Sequence, residues 1–121
     1  MALPVNRPIS EIAIGTSTVS AATSPVAAYA VTPCKGRIVR TYAVAEAAFT
    51  GAMAVAVAVN GGANIGALTV AAGAAGASGS DAPGAPEPAR FVNEGDVISF
   101  TPSGATGAAV SAKFQIVIER H

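Results

Sequence analysis

The sequence predicts an all-β protein: a β-sandwich or jelly roll of about seven or eight short antiparallel strands. The first indication is the segment Met53–Val59, in which valine occupies every second position and alanine fills the gaps. A period of two places all the valines on one face of a strand, whereas on a helix they would form no continuous buried stripe. The second indication is that glycine- and proline-rich turns separate short apolar segments elsewhere, without the periodicity of a convincing helix.

Length and charge set the class of protein. The 121 residues fit one domain with a modest core. Only 12% of residues are charged, and seven basic residues balance seven acidic ones. This balance argues against nucleic acid as a direct partner, because no excess positive charge is available for phosphates. Most of the apolar content is alanine and valine, which bury little area each, so we expect stability to depend on assembly into a homo-oligomer.

The N-terminal segment differs from the rest of the chain. Residues 1–10 contain two prolines and little periodicity, which predicts an extended arm outside a sandwich domain of residues 11–121. Its apolar and basic side chains suit contact with a partner, and a disordered tail is the alternative. The candidate contact residues are Leu3, Pro4, Val5, Arg7 and Ile9.

The domain begins with a series of β-forming segments separated by turn residues. In order, they are residues 12–14, 16–20, 26–31, 37–44, 53–59 and 65–70. Asn60-Gly61 closes the fifth of these segments with residues that tolerate a positive φ. Residues 71–89 are almost wholly Gly, Ala, Ser and Pro, and they predict a long loop or an extended crossing segment.

The C-terminal part predicts two further strands. Residues 97–100 follow the turn at 93–96, and we expect this strand to stop at Pro102. Residues 109–120 give the longest clean alternation, with polar side chains on one face. The opposite, apolar face consists of Val110, Ala112, Phe114, Ile116 and Ile118.

The alanine face of the strand at 53–59 carries a functional prediction. Ala54, Ala56 and Ala58 are too small to fill a core, although the valines on the other face suit one. Close approach of another sheet or subunit would explain why nothing larger is present. These alanines are therefore a candidate subunit interface.

Cys34 is the only cysteine, so it has no partner for an intrachain disulfide. Its position in a turn between strands predicts exposure. It is either a plain thiol or one half of a disulfide between subunits.

Catalytic and metal-binding patterns are weak. The single histidine, His121, is the last residue, so a Ser-His-acid arrangement would depend on a terminal base. Glu94 and Asp96 flank Gly95, where a plain hairpin turn is a better interpretation than a calcium loop. The longest apolar stretch, residues 42–59, includes Glu46 and favours buried strands over a membrane span. We expect a protein that is not an enzyme, holds no cofactor or metal and has no membrane partner.

The order of segments carries a resemblance over residues 26–120. The matching stretches are residues 33–39 with 42–44, residues 57–61, residues 66–70, the turn at 92–98 and the ending at 114–120. In this order the chain resembles the small capsid decoration, or cement, proteins of tailed bacteriophages. It departs from their pattern in the alanine-rich segment 71–89 and in Cys34.

The resemblance implies a β-sandwich that assembles as a trimer, or less often a dimer, on the outside of a filled head. The protein would be made in the host cytoplasm, and its partner would be the major capsid protein, whose neighbouring subunits it bridges. An N-terminal arm often reaches across the shell in this family, which fits residues 2–10. Two other hypotheses are a carbohydrate- or receptor-binding module of the head-fibre kind and another structural component of the virion.

Overall fold

A computed structural model of the chain describes residues 11–22, 25–106 and 110–120. These residues form nine strands and one four-residue helix, α1 Glu87–Arg90. The strands are β1 Glu11–Thr18, β2 Ala28–Val31, β3 Gly36–Ala45, β4 Met53–Val59, β5 Leu68–Val70, β6 Ser78–Asp81, β7 Phe91–Val92, β8 Val97–Ser103 and β9 Ala112–Arg120.

The strands are arranged in two antiparallel sheets. The first sheet has the order β1-β9-β3-β6, and β7 pairs with the beginning of β3. The second sheet has the order β2-β8-β4-β5. The predicted all-β sandwich is confirmed, with nine strands in the described ranges where seven or eight were expected. The jelly roll, the narrower of the two predicted architectures, stays a prediction.

The core lies between the two sheets. Val55 and Val57 of β4 are buried, so the valine face of this strand contributes to the core. Phe100 of β8 and Phe114 of β9 stack across the interface between the sheets, with ring centroids 5.0 Å apart and planes 5° from parallel. Burial of the apolar face predicted for the last strand is also confirmed. The two sheets therefore share one core, to which both contribute inward-facing side chains.

Several strand boundaries differ from the sequence prediction. The segments at 12–14 and 16–20 form one strand, β1, because Gly15 stays extended and pairs with Gln115. Strand β8 does not stop at Pro102. Because β2 pairs with β8 only as far as Phe100, Pro102 lies where β8 has a free edge, and its missing N–H costs no ladder hydrogen bond. The longest strand is β3, with ten residues against nine in β9.

The segment 71–89 is not only a loop, because it contains β6 and the first three residues of α1. Strand β6 pairs with β3 at the edge of the first sheet. A Cβ atom on Gly79 would collide with the carbonyl oxygen of Thr69 in β5. Glycine therefore allows β6 to lie directly against the edge of the second sheet, which closes the sandwich on that side.

Candidate functional site

The outer surface of the second sheet carries no charged side chain on its described strands. None of its four strands contains Asp, Glu, Lys or Arg. The first sheet differs, because it has charged residues in β1, β3, β6 and β9. We call the outer surface of the second sheet the uncharged face. Its residues are Tyr29, Val31, Ala54, Ala56, Ala58, Thr69, Val97, Ser99, Thr101 and Ser103.

The uncharged face is bulky at one edge and flat near the other. On β2, at the edge, Tyr29 is 63% exposed and Val31 is 61% exposed. Ala54 of β4 is exposed and Ala56 is half-buried, so two of the three predicted interface alanines are accessible. Ala58 is buried, and its methyl group therefore offers little area to a partner. Large apolar side chains thus project beside a surface of small ones.

The other predicted site residues lie elsewhere or outside the described ranges. Leu3, Pro4, Val5, Arg7 and Ile9 lie outside the described residues. Cys34 lies between β2 and β3 as a free thiol, and it is half-buried rather than fully exposed because it packs against the core. A disulfide between subunits stays a prediction.

Charged pairs are found at the outer surface of the first sheet. The guanidinium of Arg37 in β3 contacts the carboxylate of Glu119 in β9, with 2.9 Å between Nη2 and Oε1. Lys113 of β9 lies 3.5 Å from the carboxylate of Glu46, just after β3, and both side chains are largely exposed. The exposed Lys113–Glu46 pair contributes little to stability, whereas the Arg37–Glu119 pair is half-buried and has a second hydrogen bond, from Arg37 Nε.

A groove of about 800 Å³ crosses the same surface. We call it the first-sheet groove. One row of residues in register crosses all four strands: Gly15 of β1, Gln115 of β9, Tyr42 of β3 and Ser80 of β6. Lys113 and Ser78 line the groove in the adjacent row. Sequence alternation placed Gln115 on an outer face, but the groove itself was missed because β6 was not predicted.

A network of hydrogen bonds stabilises the turn at one end of the sandwich. The Asn93 N–H donates to Oδ2 of Asp96 at 2.8 Å. This bond, together with one from the side chain of Asn60, holds the pKa of the Asp96 carboxyl below its ordinary value of 3.8. The buried Thr32 hydroxyl donates to the Asn93 carbonyl oxygen at 2.6 Å. The predicted turn at 93–96 is confirmed by the hydrogen bond from the Asp96 N–H to the Asn93 carbonyl oxygen, and Asp96 also serves as a hydrogen-bond acceptor within it. It is not a hairpin turn, because β7 pairs in the first sheet whereas β8 belongs to the second.

Over the described part of the chain, no three His, Cys, Asp or Glu side chains are grouped closely enough to hold a metal ion. Within the same ranges, no helix is long and apolar enough to cross a membrane.

Comparison of the sequence with protein-family models and with curated proteins found no match.

Proposed function

We propose that this chain is a structural virion protein, which decorates the outer surface of a phage head and stabilises contacts between major capsid subunits. The observation that supports this proposal best is the uncharged face. Exposed apolar surface bordered by polar residues is typical of protein–protein contacts. Here Tyr29 and Val31, each more than 60% exposed, lie on a face whose other residues are apolar or hydroxyl side chains.

The shape of the uncharged face suits contact with a second copy. Rotating one copy by a half-turn over another would bring the bulky β2 edge of each onto the flat β4 surface of its partner. Such a contact is self-complementary, and no charged residue of the four strands would be desolvated. A cyclic trimer, which the resemblance favours, would place the same two surfaces head to tail.

Attachment to the head is assigned to the arm. Residues 1–10 precede β1, which pairs only with β9 among the described strands and so lies at the edge of the first sheet. The chain therefore enters the described domain through an edge strand. An oligomer carries one arm in each copy, and several weak contacts made together give tight binding without any one of them being strong.

The test is attachment of the purified chain to heads of the encoding phage prepared without it. We expect the full chain to sediment with the heads and to raise the temperature at which they release DNA. A chain lacking residues 2–10 should keep the oligomeric mass but bind the heads more weakly. Heads that bind neither form would refute the proposal, and equal binding of both forms would refute the role of the arm.

The mass of the purified chain separates this proposal from a major shell or tail component. A decoration protein should stop at a small closed oligomer, because its contacts with itself close under cyclic symmetry. Assembly of the chain alone into shells or tubes would instead support the shell or tail component.

A further inference from the structure

The first-sheet groove has the chemistry of a ligand site. Six of the residues that line it are exposed. Five of these supply one aromatic ring, one amide, two hydroxyls and one ammonium group, and the sixth is a glycine. They are Tyr42, Gln115, Ser78, Ser80, Lys113 and Gly15. Ligand sites commonly combine apolar surface with a few convergent polar groups, and this groove does so in two adjacent rows.

The polar groups of the groove are available to a ligand. Among the described residues, none makes a side-chain hydrogen bond to Tyr42, Gln115, Ser78 or Ser80. An amide and a hydroxyl each both donate and accept hydrogen bonds. This dual capacity matches ligand hydroxyl groups, which also do both. A phosphate would use only the donors of these side chains, and a metal ion would use only their acceptors.

The charges of the groove favour a neutral ligand. Among the described residues that line it, none is a carboxylate and Lys113 is the only cation, lying 3.5 Å from the Glu46 carboxylate. A positively charged ligand would find no counter-ion among the lining residues. An anion would have to compete with Glu46 for a largely exposed ammonium group, which is a weak source of binding energy.

We propose that the first-sheet groove binds a neutral glycan. The ring of Tyr42 packs against the apolar face of a sugar ring, and Gln115, Ser78 and Ser80 hydrogen-bond to its hydroxyl groups. Because Gly15 has no side chain, it leaves space for the sugar at the β1 end of the row formed by Gly15, Gln115, Tyr42 and Ser80. This site is on the opposite side of the sandwich from the uncharged face, so glycan binding goes beyond the proposed structural role and is compatible with assembly.

The variants compare Tyr42 in the groove with Val26, which is 51% exposed and belongs neither to the groove nor to the uncharged face. The full chain would be tested against an array of neutral and acidic oligosaccharides, then titrated with its best neutral ligand by calorimetry and by NMR of the backbone amides. We expect the amide shifts to concentrate at residues 15, 42, 80 and 115. Tyr42→Ala should weaken binding by roughly tenfold or more, while Val26→Ala should leave it unchanged.

A third variant tests the groove without removing the tyrosine. A Cβ on Gly15 would meet only the Phe114 carbonyl oxygen at 3.7 Å, which is ordinary contact, so Gly15→Ile fits the strand and projects into the groove. We expect it to abolish glycan binding with an unchanged melting temperature.

Three results would overturn the glycan site. They are no binding of any neutral oligosaccharide, binding that survives both Tyr42→Ala and Gly15→Ile, or binding of acidic sugars alone that disappears in salt. Each of these is independent of attachment to heads, which tests the proposed function separately.

Discussion

Replacing Ala56 with leucine tests whether the uncharged face is the contact between subunits. Ala56 lies near the middle of β4, is half-buried and pairs with Thr101 of β8. Its side chain is on the outer surface, because the neighbouring Val55 and Val57 are buried in the core. The added carbons therefore extend away from the core and should leave the single chain folded.

The size of the effect follows from crowding between copies. Adding methylene groups to a well-packed contact costs about 1–3 kcal/mol. In a symmetric dimer both copies carry the substitution, so the cost is about 2–6 kcal/mol for each dimer. Each 1.4 kcal/mol is a factor of ten, so the dissociation constant should rise by roughly 30-fold at the lower cost and by roughly 20,000-fold at the upper cost.

Sedimentation equilibrium over a range of concentrations measures this constant. Ser17→Leu is the matched control, because it adds a leucine side chain at an exposed position on β1 of the opposite sheet. We expect Ser17→Leu to associate as the unmodified chain does and Ala56→Leu to dissociate at higher concentration. Equal dissociation constants for Ala56→Leu and the unmodified chain would refute the assignment of the interface.

Three further predictions concern stability and the thiol. Phe100→Ala should lower the free energy of unfolding by about 3–5 kcal/mol, and a double-mutant cycle with Phe114→Ala should give a coupling of about 0.5–1.5 kcal/mol; strictly additive effects would contradict the stacked pair. Because hydrogen bonds lower the pKa of Asp96, its carboxylate stabilises the fold fully above its ordinary value of 3.8, and this contribution is lost as the pH falls through the lower folded-state value. In urea unfolding across the acid range, Asp96→Asn should show a smaller loss of stability than the unmodified chain, and identical losses would contradict the role of Asp96. Because Cys34 is half-buried against the core, non-reducing electrophoresis should give a monomer band, whereas a dimer band abolished by Cys34→Ser would establish the disulfide between subunits.

The strands that could be predicted are those whose own residues carry the pattern. Met53–Val59 and Ala112–Arg120 alternate with a period of two, and both bury the predicted face. Strand β6 has the sequence Ser-Gly-Ser-Asp, without a β-branched or aromatic residue. It is a strand because β3 pairs with it and because Gly79 lets it approach β5. These contacts are part of the tertiary structure, and the sequence of the segment itself does not reveal them.

The candidate interface was only partly visible in the sequence. The alanines of β4 indicated a surface suited to close approach, but the uncharged face also depends on β2 and β8. Tyr29, Ser99 and Ala58 share one row across three strands, although they are far apart in the sequence. The first-sheet groove depends on long-range register in the same way. Pairing of distant strands brings its residues together, and no local motif encodes that pairing.

The most direct test of the account is to compare the reactivity of the two tyrosines in the assembled protein. In the single chain Tyr29 is 63% exposed and Tyr42 is 37% exposed, so exposure alone would make Tyr29 the faster to react. If the uncharged face is the contact between subunits, acetylation followed by peptide mass spectrometry should show Tyr29 protected and Tyr42 modified, with Tyr29 becoming reactive on dilution. Faster modification of Tyr29 at every concentration would contradict the account.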